Sequence, residues 1–251
     1  MELNGARVLV AGATGVLGGA ITAELVRRGA RAALAGRDPG ALARAAQVWP
    51  GTPTAVFDAY DPGSCALAVH RASAALGGLD AVVVAFGSVA FGSVASGPVA
   101  SGPVAFGGAE QVGDEIAEHL VAVNYLAPAA FFRAALGILG RGSAIAAVTG
   151  VVAERPQPGM ADYSASKAAL SAWLAAVRRE ARGAGVRVLE IRPGHLDTGF
   201  ADRPVAGTAP PMPKGGDPLD VAAAVADALA DGAELLSTDP AGKPVAVHRA
   251  R

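Results

Sequence analysis

Apolar residues along this chain fall into short, nearly unbroken runs separated by longer stretches in which they recur every three or four positions. The runs at residues 7–11, 31–35, 54–57, 81–86, 143–149 and 186–191 read as strands covered on both faces. The intervals at residues 20–28, 42–48, 62–76, 112–136 and 161–182 have helical spacing; in the first, Ile21, Leu25 and Val26 share one side while Glu24, Arg27 and Arg28 share the other. Local punctuation agrees: Pro39 and Pro62 suit first helical turns, Gly77 and Gly78 stop a helix, and Asp217 with Pro218 reads as an N-cap and first turn of a helix to about residue 230. Strand and helix in strict alternation predict a single α/β domain over residues 1–251, with a last strand at 244–247.

One interval breaks the pattern. Residues 84–108 are five consecutive pentads, VAFGS, VAFGS, VASGP, VASGP and VAFGG. A period of five keeps no face of a strand or helix apolar, and the recurring Gly and Pro block regular structure. A low-complexity loop is expected over residues 87–109, either a flap or a passive expansion beside the site. The uncharged stretch 81–109 is long enough to span a membrane, but its Gly and Pro argue against a transmembrane helix.

The first strand-like run opens into Gly12, Gly15 and Gly18, and those glycines open into a helix. A strand that stops at a turn free of Cβ atoms, followed by a helix N-terminus with unpaired N–H groups, makes a cradle for a pyrophosphate. Thr14, Val16 and Leu17 complete that turn. At the end of the second run the carboxylate that usually holds an NAD ribose is replaced by Gly36, and Arg37 follows. An arginine there suits a 2′-phosphate, so NADP is the expected cofactor, with NADPH preferred over NADH.

Composition adds exclusions. With 21 basic and 22 acidic residues and net charge −1, the chain has no nucleic-acid footprint, and a small molecule is the expected partner. The single Cys65 allows no internal disulfide, the four histidines are too scattered for a metal motif, and the N-terminus carries no secretory pattern. No metal, no membrane and a cytoplasmic location are expected.

Two further patterns carry chemistry. Tyr163 and Lys167 lie four apart in a predicted helix, so phenol and ammonium share a face, and a nearby cation favours the phenolate. Asn124 lies four residues before Pro128, which has no N–H to offer the Asn124 carbonyl and leaves it for water or a lysine.

In order and spacing these residues resemble the short-chain dehydrogenases/reductases along nearly the entire chain. The resemblance implies that Gly12, Gly15 and Gly18 form the coenzyme turn and that Asp58 contacts adenine. It makes Asn124, Tyr163 and Lys167 the catalytic groups, with Lys167 also holding the ribose, and makes Pro193, Gly194 and Thr198 the nicotinamide-side loop. It implies a doubly wound, Rossmann-like domain with a parallel sheet of about seven strands, a nicotinamide cofactor, a substrate lid at about residues 199–216, and a homodimer or homotetramer. Three departures stand out. The usual Asn-Asn-Ala-Gly after the fourth strand is Val84-Ala85-Phe86-Gly87. The glycine spacing leans to the extended branch, while length and the short C-terminal part match the classical branch. The serine expected thirteen residues before the tyrosine is Gly150, with Thr149 beside it as a candidate substitute. The expected function is NADP-dependent interconversion of a carbonyl and a secondary alcohol on a small, uncharged substrate. The rivals are an extended-branch epimerase or dehydratase that keeps its nicotinamide bound, and a non-catalytic NADP-binding sensor or scaffold. His195 is a further residue that could line the site.

Overall fold

The computed structural model describes residues 1–86, 105–207, 209–211, 213–238 and 243–247. Most of the pentad loop, and positions 208 and 212 of the lid, therefore lie outside the described residues. The elements are β1 (Arg7–Ala11), α1 (Val16–Arg27), β2 (Arg31–Gly36), α2 (Pro39–Val48), β3 (Thr54–Val56), α3 (Pro62–Leu76), β4 (Ala81–Val84), α4 (Asp114–Val121), a π-helical turn (Ala122–Leu126), α5 (Ala127–Leu136), β5 (Ala144–Val148), a 3-10 turn (Val151–Ala153), α6 (Ala161–Glu180), β6 (Arg187–Ile191), α7 (Pro218–Asp231), β7 (Leu235–Thr238) and β8 (Pro244–Val247).

The strands form one sheet in the order β3-β2-β1-β4-β5-β6-β7-β8. Every pair is parallel except β7 with β8. The fold is α/β and Rossmann-like, as expected, with eight described strands rather than about seven. The additional strand is β7, whose half-polar run Leu235-Leu236-Ser237-Thr238 has only one fully buried position. Its register comes from the β6 edge, not from its own apolar pattern.

Alternation along each strand sorts side chains to two cores. Leu9, Ala11, Val82 and Val84 face α3, α5 and α6, whereas Val8, Val10, Ala81 and Val83 face α1, α2 and α7. The helix signals hold where a side chain does the capping: Asp38, Asp61 and Asp217 accept the N–H groups of Ala41, Gly63 and Leu219, each with proline in the first turn. The helix expected over 112–136 is divided by the π-helical turn, and its α4–α5 stretch is the one described helix long and apolar enough to cross a membrane. Here it packs into the protein, with Leu120, Phe131 and Phe132 fully buried.

β1 and β4 are neighbours whose crossover helices lie on opposite faces, so a crevice opens beyond their carboxyl ends. A third, smaller apolar cluster lies over it: Ala105, Phe106, Ile116, Leu120, Tyr163, Ala201 and Val205.

Candidate active site

The glycine turn is shaped by close approach. Gly12 has φ +90°, and a Cβ there would stand 2.6 Å from the backbone nitrogen of Phe86. A Cβ on Gly18 would run into the carbonyl of Gly12. Gly15 closes the turn by donating to the Gly12 carbonyl at 3.0 Å, and α1 starts at Val16, four residues earlier than its apolar spacing indicated. Bare backbone facing a helix N-terminus whose first N–H groups lack intrahelical partners fits a pyrophosphate. At the end of β2, a side chain on Gly36 would press on Leu42 and on Thr14 Oγ1, both 3.3 Å from its Cβ. Arg37 follows, half-buried, its guanidinium lowered to about 10 by burial while the carboxylates of Asp38 and Asp58 oppose that shift. Asp58 itself is exposed, and its carboxylate accepts the Tyr60 N–H at 2.9 Å.

On the other side of the crevice α6 presents Tyr163 and Lys167. Both are buried, and Lys167 Nζ donates to the Val148 carbonyl at 3.2 Å, 5.9 Å from the Tyr163 ring centre. The expected effect of the lysine on the phenol is not what this packing produces. Burial pushes the Tyr163 phenol up and Lys167 down to about 8, because both charged forms lose water.

Asn124 is fully buried in the π-helical turn. Its Nδ2 donates to Ser166 Oγ at 3.1 Å, and that hydroxyl donates to the Tyr163 carbonyl at 2.7 Å. The distortion has its cause in sequence: Pro128, in the first turn of α5, cannot donate to the Asn124 carbonyl, and Ala127 N–H reaches back to Ala122 instead.

A cavity of about 350 Å³ joins these parts. Of the candidate residues it brings together Gly15, Val16, Leu17, Thr149, Tyr163, Lys167, Pro193, Gly194, His195 and Thr198. Gly12, Thr14, Gly18, Arg37, Asp58 and Asn124 stand outside its lining. Gly194 is held from below, its N–H donating to Thr238 Oγ1 at 3.0 Å, so the unexpected strand β7 anchors the expected loop. The lining also includes Phe106, Gln157, Met160 and Arg203, none of which belongs to a chemical motif in the sequence.

The short chain dehydrogenase model matches residues 6–206. The chain belongs to that family of oxidoreductases. It is 25% identical over 162 residues to the Escherichia coli (strain K12) "Uncharacterized oxidoreductase YghA", a match covering 61% of this chain and 50% of that relative. The chain thus spans about half the length of this curated relative. A short chain dehydrogenase from Burkholderia cenocepacia J2315, solved in complex with NADP, is 27% identical with TM-score 0.75, covering 91% of this chain and 92% of that one. BdcA in complex with NADPH is 25% identical with TM-score 0.74 over 91% and 88% of the two chains. A Burkholderia phymatum short chain dehydrogenase/reductase in complex with NAD shares the fold, at 20% identity and TM-score 0.80 over 96% and 91%.

Of two departures from the short-chain dehydrogenase pattern, one has a structural answer. Where an asparagine anchor is missing after β4, Phe86 packs its ring on Phe57 and Phe131, with centroids 5.0 and 5.7 Å away, while Ala85 N–H bonds the Ala11 carbonyl. Apolar packing replaces the hydrogen-bonded anchor. The missing serine has no such replacement next door. Thr149 contributes to the cavity wall, but its hydroxyl donates to Glu190 Oε1 at 2.8 Å, in the protein interior. Thr149 is therefore not the substitute that its position suggested: a buried carboxylate holds its hydroxyl. Gly150, at φ +87°, leaves the serine position without a side chain.

Proposed function

We propose that this short-chain dehydrogenase is an NADP-dependent oxidoreductase that interconverts a carbonyl and a secondary alcohol on a small, uncharged substrate. The observation that carries the reading is the buried Tyr163 phenol in a cavity that also holds Lys167 and the Pro193–Gly194 turn. Bound NADPH would supply the hydride. Tyr163 donates its phenolic proton to the substrate oxygen when a carbonyl is reduced and takes one back when the alcohol is oxidised. Lys167 holds the ribose, and Asn124 supports a water relay behind it. Preference for NADP is supported by Gly36 and Arg37 and by the relatives solved with NADP and NADPH; the relative solved with NAD marks the competing choice.

With Thr149 committed to Glu190, a donor for the substrate oxygen has to come from elsewhere in the lining. Gln157 donates to the Arg155 carbonyl, and Arg203 donates to the carbonyls of Gly199 and Thr198. His195, in the loop after β6, lines the cavity with no hydrogen bond to its ring among the described residues. We assign it the contact that serine makes elsewhere in the family. Phe106, Val151, Val152, Met160, Leu196 and Phe200 make the remaining walls apolar, which supports an uncharged substrate. A cytoplasmic homodimer or homotetramer belongs to the same reading, supported by the unpaired, buried Cys65 and by the exposed Val121 and Leu126 at the two ends of the π-helical turn.

The test is NADPH absorbance during incubation with a panel of small ketones and aldehydes. Cofactor consumption matched by alcohol formation is expected. Product formed without net cofactor change would favour the epimerase or dehydratase alternative, and cofactor binding without product would favour a sensor, the rival to which Gly150 lends weight.

A further inference from the structure

Glu190 is the one carboxylate among the described residues that is fully buried, 2% exposed in a central strand of the sheet, and the reaction proposed above does not use it. Although burial alone would raise it, Arg192 and Thr149 hold the carboxyl below its ordinary value. Its partners reach in several directions. Thr149, just past β5, donates to Oε1, and Arg192, just past β6, donates to both oxygens at 2.8 and 3.1 Å. The same guanidinium donates to Ser171 Oγ on α6 at 3.0 Å and to Glu154 Oε2, after the Val151–Ala153 turn, at 3.1 Å. Ser171 is one helical turn beyond Lys167 and two beyond Tyr163, on the same face of α6. Val151 and Val152 form cavity wall, and Pro193, next in sequence to Arg192, begins the turn at its floor.

One ion pair thus ties together the end of β5, the turn that follows it, the loop after β6 and the helix that carries both catalytic candidates. We propose that Glu190 and Arg192 are positioning residues, which hold α6 and the Gly150 segment in the register that places Tyr163 and Lys167 against the substrate. The coenzyme turn lies on β1 and α1, outside this network. Disrupting the pair should change turnover while leaving most of the cofactor grip intact. A site lacking the serine has fewer contacts to orient the substrate, so its remaining groups depend more on the frame that carries them.

The proposal rests on the oxidoreductase reading, and the experiment separates the two. Wild-type protein, Glu190→Gln, Arg192→Met, the double variant and Ser171→Ala are compared for kcat, KM, NADPH dissociation constant and Tm. Glu190→Gln keeps shape and removes charge; Ser171→Ala removes one hydroxyl remote from the cavity. Expected are a kcat lowered about tenfold in each charge variant and about threefold in Ser171→Ala, with NADPH affinity lowered by less than kcat, since most of the cofactor grip lies on the coenzyme turn. The double variant should be no worse than the poorer single one, since a lone buried charge is costlier than none. An active wild type with Tm lowered but kcat unchanged in the variants would make the pair a stability device and overturn the proposal. Parallel loss of NADPH affinity would overturn it too. An inactive wild type sinks the oxidoreductase reading instead. Should both charge variants fail to fold, Ser171→Ala decides: unchanged kcat there rejects positioning.

Discussion

The two banks of the crevice are built by different means. The nucleotide bank, β1 to β2 with its glycine turn, is shaped by bare backbone: the chain can turn at Gly12 because no Cβ meets Phe86 just past β4, and α1 can pack because Gly18 has none to meet Gly12. The substrate bank is assembled from distant pieces. Tyr163 lies under a small cluster drawn from residues 105–106, 116–120 and 201–205, and the loops are pinned by Phe106 N–H to the Ala206 carbonyl and Gly107 N–H to the Gly159 carbonyl. The first bank tolerates little change in backbone; the second can change side chains while the frame persists. Gly150 in place of serine is such a change.

Substitutions that act on one bank alone sharpen this contrast. The largest effect is expected from Tyr163→Phe, which keeps the ring against Phe200, 6.1 Å away, and removes the proton donor. Turnover should fall by about 10²–10⁴-fold with NADPH affinity unchanged, measured by steady-state kinetics and fluorescence titration. Retained turnover would move proton transfer to another group. His195→Ala should lower kcat by about 10²-fold if the imidazole binds the substrate oxygen, with His195→Gln recovering part of that loss. Equal activity in the alanine variant would mean the site works without a second donor.

On the nucleotide bank, Gly18→Ala should cost about 1–3 kcal/mol through the collision with the Gly12 carbonyl and weaken NADPH binding. Thermal melts with and without cofactor measure both, and an unchanged melt would show that the turn can give. Arg37→Asp should reverse the cofactor preference. Loss of a charged hydrogen bond to the 2′-phosphate, worth about 1.5–3 kcal/mol, corresponds to roughly a 10- to 100-fold weaker NADPH constant. Parent protein that binds NADH as tightly as NADPH would refute the role given to Arg37.

The same contrast governs what could be read from the sequence. The nucleotide bank was legible because its causes are local: apolar runs, glycines and capping residues such as Asp38 with Pro39 each act within one turn of chain. Asn124 and Pro128 belonged to one helix, so the distortion could be anticipated, although not that it would be a π-helical turn. Thr149 was misjudged because its hydroxyl direction is decided by Glu190, forty-one residues away, and nothing local marks that acid as its acceptor. The direction of the phenol's shift is hidden from the sequence for a related reason. Helical spacing reveals that Lys167 is near Tyr163, but the burial that outweighs the cation is contributed by distant elements, among them the neighbourhood of Phe106 and Ala201. Phe106 itself belongs to the last pentad, whose pattern predicts a loop and carries no sign of lining the site.

That burial supplies the smallest and most direct prediction. In the cofactor-free protein Lys167 titrates near 8, whereas in the unfolded chain it keeps its proton to about 10.5. Between those values the unfolded chain binds more protons than the folded one, so this lysine's penalty on folding is full below about pH 8 and fades as pH rises towards 10.5. Lys167→Met preserves much of the aliphatic stem and removes the titrating group. The variant should melt a few degrees above the parent at pH 7, on a scale of about 2–4 °C per kcal/mol for a chain of this size, and the gap should narrow steadily through pH 8 to 10. A gap independent of pH would mean that the ammonium is well solvated or well paired in the folded protein, and that the bond from Nζ to the Val148 carbonyl suffices to hold its charge.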